Sequence, residues 1–198
     1  SLARNIGYVP RSRSAAKATI SFSIETTANT PTLTLSAGLV CIGASENSTI
    51  MFSIPSSITT TVVNGVANFE NIEVFQGTFL RKQFLVDGSL DQRFLLDNSF
   101  IDSSTIVVKV KGLADTNTLG REYSLASNIL NIDATSETYL IQEVQDEKYE
   151  LLFGDGYFGK KLENGAVITA TYIITDGKSG NGSANFSYSG RVVDSLDY

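Results

Sequence analysis

The sequence has 198 residues, 42% hydrophobic and 18% charged, with a formal net charge of −6. That is enough chain for one large or two small domains with a real core, and its acidic balance argues against nucleic acid as a partner, since no excess of Lys and Arg exists to release phosphate counterions. Histidine is absent and Cys41 is the sole cysteine, which excludes an internal disulfide, a Cys/His zinc site and every histidine-based triad or general base.

At the start, SLARNIGYVP lacks the apolar stretch of a signal peptide. The first residue is Ser1 rather than Met, so we expect an excised piece of a longer polypeptide. SLARNI is the best helix candidate, stopped by Gly7 and Pro10, and SRSAAKA adds a possible turn. From there the dominant period is two. In ATISFSIE, Ile20, Phe22 and Ile24 alternate with Thr19, Ser21, Ser23 and Glu25. Leu33, Leu35, Ala37, Leu39 and Cys41 share one phase, which makes Cys41 a small buried apolar residue rather than a nucleophile. The alternation returns at Ile50, Phe52 and Ile54, at Ile106, Val108 and Val110, at Tyr149, Leu151 and Phe153, and at Ile168, Ala170, Tyr172 and Ile174. Such runs mark strands with one face on a core. Asn64-Gly65 and Asn164-Gly165 carry the signal of two-residue hairpin turns.

We therefore expect a mostly β fold of antiparallel, sandwich-like lobes with a short N-terminal helical segment. The expected organisation is a lead-in over 1–17, a first β lobe over 18–90, a second over 91–176, and a Gly/Ser-rich segment with a terminal strand over 177–198. DGSLDQR at 87–93 separates the lobes, and a single sandwich also fits the spacing. No apolar run approaches the roughly 18 residues that span a bilayer, so no membrane partner is expected.

Several stretches invite a chemical reading. Asp176-Gly177-Lys178-Ser179 contains the GKS of a phosphate loop, but Tyr172 stands where the pattern wants its first glycine. Asp87, Asp91, Asp97 and Asp102 form a loose carboxylate group without the alternating ligands of a calcium loop, so strand-end and turn roles are expected for them. Arg4, Arg11, Arg13 and Lys17 precede the first acid, Glu25, and read equally as a contact strip or a solvated surface. Asn47, Asn181 and Asn185 begin N-x-S/T sequences that a Ser/Thr-rich chain produces by chance. No cofactor or metal site is expected.

The densest signal is FGDGYFGKKLENG, between two runs of strand. Gly154, Gly156, Gly159 and Gly165 suit sharp turns or close backbone approaches. Asp155 can accept bonds from the amides that follow it, and Lys160 and Lys161 face solvent or a partner. The stretch offers no base, nucleophile or phosphate cradle. It reads as a rigid corner, with Phe153, Gly154, Asp155, Gly156, Gly159, Asn164 and Gly165 shaping it.

The same residues carry a family resemblance. FGDGYFGKKLENGAVITATYIITDGKSGNGS resembles the signature stretch of baseplate J-like proteins, wedge components of contractile phage tails and related injection machines. Phe153, Gly154, Asp155, Gly156, Gly159, Lys160, Asn164, Gly165, Tyr172, Gly180 and Asn181 stand at matching positions. Upstream, Gln76-Gly77-Thr78 and the run from Ile101-Asp102 to Val110 fit as well, and ARNIGYVPRSRSAAKA resembles the lead-in of the larger members. The resemblance implies a non-enzymatic structural subunit that links neighbouring wedges into a ring around the hub and relays the rearrangement that triggers sheath contraction. It implies other wedge subunits as partners, a dimer for the full-length protein, assembly in the host cytoplasm and residence in the virion tail. Wedge proteins are much longer, so this chain corresponds to a fragment. A carbohydrate-binding module is the alternative, with Tyr157 and Tyr188 as platform residues in place of the missing tryptophan. A carboxylate-only hydrolase is a third.

Overall fold

The computed structural model describes residues 14–45, 48–126, 131–175 and 185–194, with the backbone alone at Ser45, Ser48, Asn185 and Phe186. Among these residues fifteen strands follow one another: β1 (Lys17–Glu25), β2 (Thr32–Leu35), β3 (Gly38–Ser45), β4 (Ser48–Ile54), β5 (Ile58–Val63), β6 (Val66–Gln76), β7 (Thr78–Leu85), β8 (Phe94–Leu96), β9 (Ile101–Lys111), β10 (Arg121–Leu125), β11 (Thr138–Val144), β12 (Lys148–Phe153), β13 (Val167–Ile174), β14 (Asn185–Tyr188) and β15 (Val192–Asp194). The mostly β expectation holds; the helical part of it does not. Among the described residues there is no α-helix; a three-residue 3-10 turn lies at Gln145–Glu147, and Asn131 is the other described residue in 3-10 conformation. Ser14 to Ala16 are irregular, the Gln76 N–H donates to the Ala16 carbonyl (2.7 Å), and Lys17 opens β1. Sheet pairing thus overrides the helix propensity of Ala15, Ala16 and Lys17. SLARNI lies outside the described residues.

The chain divides into two compact units, Ser14–Leu80 with the stretch from Ile173 on, and Arg81–Tyr172. The division falls inside β7 and β13, not at DGSLDQR, which is the loop between β7 and β8. There Asp87 accepts the Ser89 N–H (2.8 Å) and hydroxyl (2.6 Å), a turn role that alternation alone would take for a boundary.

In the first unit the strand order is β14-β3-β4-β6-β5-β2-β15, with β1 on the remaining edge of β6. Asn64 (φ 51) and Gly65 (φ 76) form the expected two-residue turn from β5 to β6. Ile50, Phe52 and Ile54 of β4 and Phe69 and Val74 of β6 fill one core, against which Ile20, Phe22 and Ile24 of β1 pack. Phe22 stacks on Phe69 with ring centroids 5.1 Å apart. Cys41 is buried in this core, which raises its thiol pKa by desolvation. The phase assumed for it breaks at Leu39, because a register shift between Leu39 and Cys41 places both Val40 and Cys41 inside.

The second sheet has the order β7-β13-β9-β10-β11-β12-β8. In the second unit Phe84 of β7 meets Phe94 of β8 edge-on at 5.5 Å, Phe94 meets Phe153 of β12 at 5.5 Å, and Phe153 meets Tyr123 of β10 at 6.1 Å. The sheet therefore curls until its two end strands touch through this aromatic cluster. The β10–β11 pairing departs from the antiparallel expectation: these strands run parallel, Ser124 opposite Thr138. The segment between them is about a dozen residues, the length a parallel return requires.

Candidate functional site

The glycine-rich corner begins where β12 ends. Phe153 anchors it in the aromatic cluster, and Gly154 forms an isolated parallel bridge to Lys161. Gly154 must be glycine for space: a Cβ there would sit 2.1 Å from the carbonyl carbon of Gly159. Asp155 Oδ1 accepts the N–H groups of Tyr157 and Phe158, each at 2.9 Å. The Gly156 N–H then donates to the Gly159 carbonyl (3.0 Å), with φ of 91° at Gly156 and 94° at Gly159. These left-handed angles are what let so short a loop close on itself.

A second loop, over residues 131–137, braces the first. Asp133 Oδ1 accepts the Thr135 N–H (2.8 Å), the Thr135 hydroxyl (2.8 Å) and the Ser136 hydroxyl (3.2 Å). The Gly159 N–H donates to the Asp133 carbonyl (2.9 Å), and the Lys160 N–H to that of Ser136 (2.8 Å). Two loops, each fixed by one carboxylate, are thus bolted together through main-chain bonds. This brace was missed in the sequence, although Asp133-Ala134-Thr135-Ser136 has the composition of a side-chain-closed turn.

Further on, the expected hairpin at Asn164-Gly165 does not form. Only Gly165 is left-handed (φ 88), and the Ala166 N–H closes the turn on the Glu163 carbonyl (3.1 Å), the pattern of a type II turn. The strands it would have joined, β12 and β13, are separated in the sheet by β9, β10 and β11. Gly165 and Ala166 bond instead to Val86, through Gly165 N–H to the Val86 carbonyl (2.7 Å) and Val86 N–H to the Ala166 carbonyl (2.9 Å).

Beside the corner lies a charged hollow bordered by Asp115, Arg121, Glu137, Lys160, Lys161 and Glu163. Arg121 reaches Glu137 (2.9 Å) and Asp115 (3.7 Å). Asp115 also accepts the Gly112 N–H (2.7 Å), and Glu163 accepts the Leu113 N–H (3.1 Å). With a volume of about 20 Å³ the hollow has room for about one water molecule, far below the roughly 300 Å³ at which small-molecule sites begin. A larger cavity of about 440 Å³ lies in the first unit, lined by Ile20, Phe22, Ile24, Cys41 and Tyr188 with the serines of β1. It brings no carboxylate or amine together. Among the described residues no group of three His, Cys, Asp or Glu side chains is placed to hold a metal ion.

The remaining sequence candidates scatter. Asp97 pairs with Lys82 (3.0 Å), while Asp102 accepts the N–H (3.0 Å) and hydroxyl (2.6 Å) of Ser104. Lys17 reaches Glu73 (3.5 Å) and lies over the ring of Phe75. Tyr188 packs against Phe22, whereas Tyr157 stands free. Arg4, Arg11, Arg13, Asn47, Gly180, Asn181 and the GKS stretch lie outside the described residues. The Arg121 network was not foreseen, because its members are spread along the sequence and meet only through β10 and the two loops.

The caps make a pH prediction. Bonds from the Phe158 and Tyr157 N–H groups hold the Asp155 carboxyl below its ordinary pKa, and the Thr135 and Ser136 donors do the same for Asp133. A depressed folded-state pKa contributes stability above the unfolded value, and that contribution is lost as pH falls through the folded one. The Tyr157 and Phe158 amide resonances should therefore hold steady from neutral pH to about 4 and move only below it. Titration midpoints at the ordinary aspartate value of about 3.9 or above would show that the carboxylate is not capped in solution.

No family model matches the chain. It is similar to the baseplate wedge protein gp6 of Enterobacteria phage T4, with 24% identity over 209 residues. The match covers 96% of this chain, which spans about 30% of the length of that relative.

Proposed function

We propose that this chain is a structural part of a phage contractile-tail baseplate, and that it works by packing and carries out no reaction. The observation that supports it most is the similarity to a baseplate wedge protein along nearly the whole chain. The corner agrees with that reading: its carboxylates are spent on backbone amides, its hollow admits one water, and its glycines set a shape. In the finer form of the proposal, the chain belongs with baseplate J-like proteins, joins neighbouring wedges into a ring around the hub, relays the rearrangement that starts sheath contraction, and acts as a dimer in full length. Its partners are other wedge subunits, its place is the virion tail after assembly in the host cytoplasm, and it uses no cofactor. A glycan platform is weaker, because the Tyr188 ring packs against Phe22 at 5.2 Å.

Mass spectrometry of purified tails tests the proposal. A polypeptide containing this sequence should be present in a fixed ratio to the other baseplate proteins. Tails that are complete and contractile without it would overturn the assignment.

A further inference from the structure

The second unit presents a surface that its own fold does not use. Tyr157 and Phe158 stand 79% and 62% exposed at the tip of the corner, although Asp155 pins the N–H of each. Leu113, 75% exposed, belongs to the loop whose Gly112 and Asp115 border the same hollow as Lys160 and Lys161. Tyr157, Phe158 and Leu113 are thus three large apolar side chains left in solvent on loops that also supply charged residues of the hollow. Burial of each against a partner would recover hydrophobic free energy that solvent exposure forfeits. A loop already held in place also loses little further freedom on docking.

The charges at this end are not balanced in the same way. Asp115 and Glu137 share Arg121, Glu163 accepts the Leu113 N–H, and Asp155 and Asp133 cap their own loops. Lys160 and Lys161 have no ion-pair partner among the described residues. The carboxylates keep their charge while they accept amide bonds, so it is the two lysines, rather than the net charge of this end, that are left to pair with a partner.

We propose that Tyr157 and Phe158 are the anchors by which this chain docks onto a neighbouring protein subunit, in an apolar socket whose rim carries carboxylates opposite Lys160 and Lys161. The proposal rests on the assembly role above and names its contact. Aromatic side chains seated in a partner's pocket carry most of the energy of such interfaces, while rim charges steer and orient the approach. An anionic lipid surface fits this end less well, because its phosphates would be pressed against Asp133, Glu137, Asp155 and Glu163 as well as the lysines.

The test uses the complete polypeptide and the other purified baseplate proteins of the same particle. Binding is measured by interferometry for the wild type, for Tyr157→Ser with Phe158→Ser, and for Lys160→Glu with Lys161→Glu. The serine pair keeps both N–H groups that Asp155 holds, so its thermal midpoint should stay within about 2 °C of the wild type. It should bind at least about tenfold more weakly, and charge reversal should weaken binding and flatten its salt dependence. If the wild type binds a baseplate protein and the serine pair binds equally well, the anchors are wrong and the assembly role stands. If the wild type binds none of them, the assembly role fails and this inference with it. Binding only to phosphatidylglycerol vesicles, lost in the serine pair, would overturn the protein socket in favour of lipid.

Discussion

Gly154→Ala is expected to open the corner and to destabilise the Arg81–Tyr172 unit by about 3 kcal/mol, the sum of the three main-chain bonds that depend on the close approach. The added methyl would stand 2.1 Å from the carbonyl carbon and 2.2 Å from the oxygen of Gly159, both backbone atoms that cannot swing aside. The loop must retreat, and with it go Gly156 N–H to the Gly159 carbonyl, Gly159 N–H to the Asp133 carbonyl and Lys160 N–H to the Ser136 carbonyl. Thermal unfolding should fall by about 10 °C or more, with faster amide exchange at Gly156, Gly159 and Lys160. Gly156→Val should cost less. Its Cβ meets nothing nearer than 3.7 Å, so its penalty is the left-handed backbone alone, about 1–3 kcal/mol for a β-branched residue. An unchanged melting curve for Gly154→Ala would show that the two loops are not held together in solution.

Phe69→Ala should be the most damaging single truncation in the other unit, at about 3–5 kcal/mol. Phe69 is 1% exposed, stacks on Phe22 across the β1–β6 pair and belongs to the same core as Ile50, Phe52 and Ile54. Truncation leaves a cavity between strands whose register is already interrupted between Ile20 and Phe22, so the site has little freedom to collapse. The denaturant midpoint should drop with the slope unchanged. A loss under about 1 kcal/mol would mean that β1 does not seal this core.

Much of the strand content was legible because alternation is a local property. Ile50, Phe52 and Ile54 read as one buried face and are one. The Asn64-Gly65 turn needs nothing beyond its own two residues, and it forms. The failures share a cause, which is distance along the chain. Asn164-Gly165 carries the same local signal, but β12 and β13 are set three strands apart by pairings with β11 and β9, so the turn serves a crossing instead. The parallel β10–β11 pair and the division inside β7 and β13 depend on partners that periodicity does not name. Ala15 and Ala16 favour a helical turn, but the Ala16 carbonyl is claimed by the Gln76 N–H.

The corner was half legible for the same reason. Asp155 and its two amides lie within four residues, so their bonding followed from sequence. The need for Gly154 arises from the backbone of Gly159, and the brace from Asp133 comes from a loop on the far side of β11 and β12. The charged hollow draws on four separate stretches, and no spacing rule would have assembled it.

The most direct test of the assembly role is a native mass measurement on the full-length protein mixed with the other baseplate proteins of its particle. The predicted result is a set of discrete complexes in which this polypeptide holds a fixed stoichiometry. A spectrum in which it stays uncombined while the remaining baseplate proteins assemble without it would contradict the account.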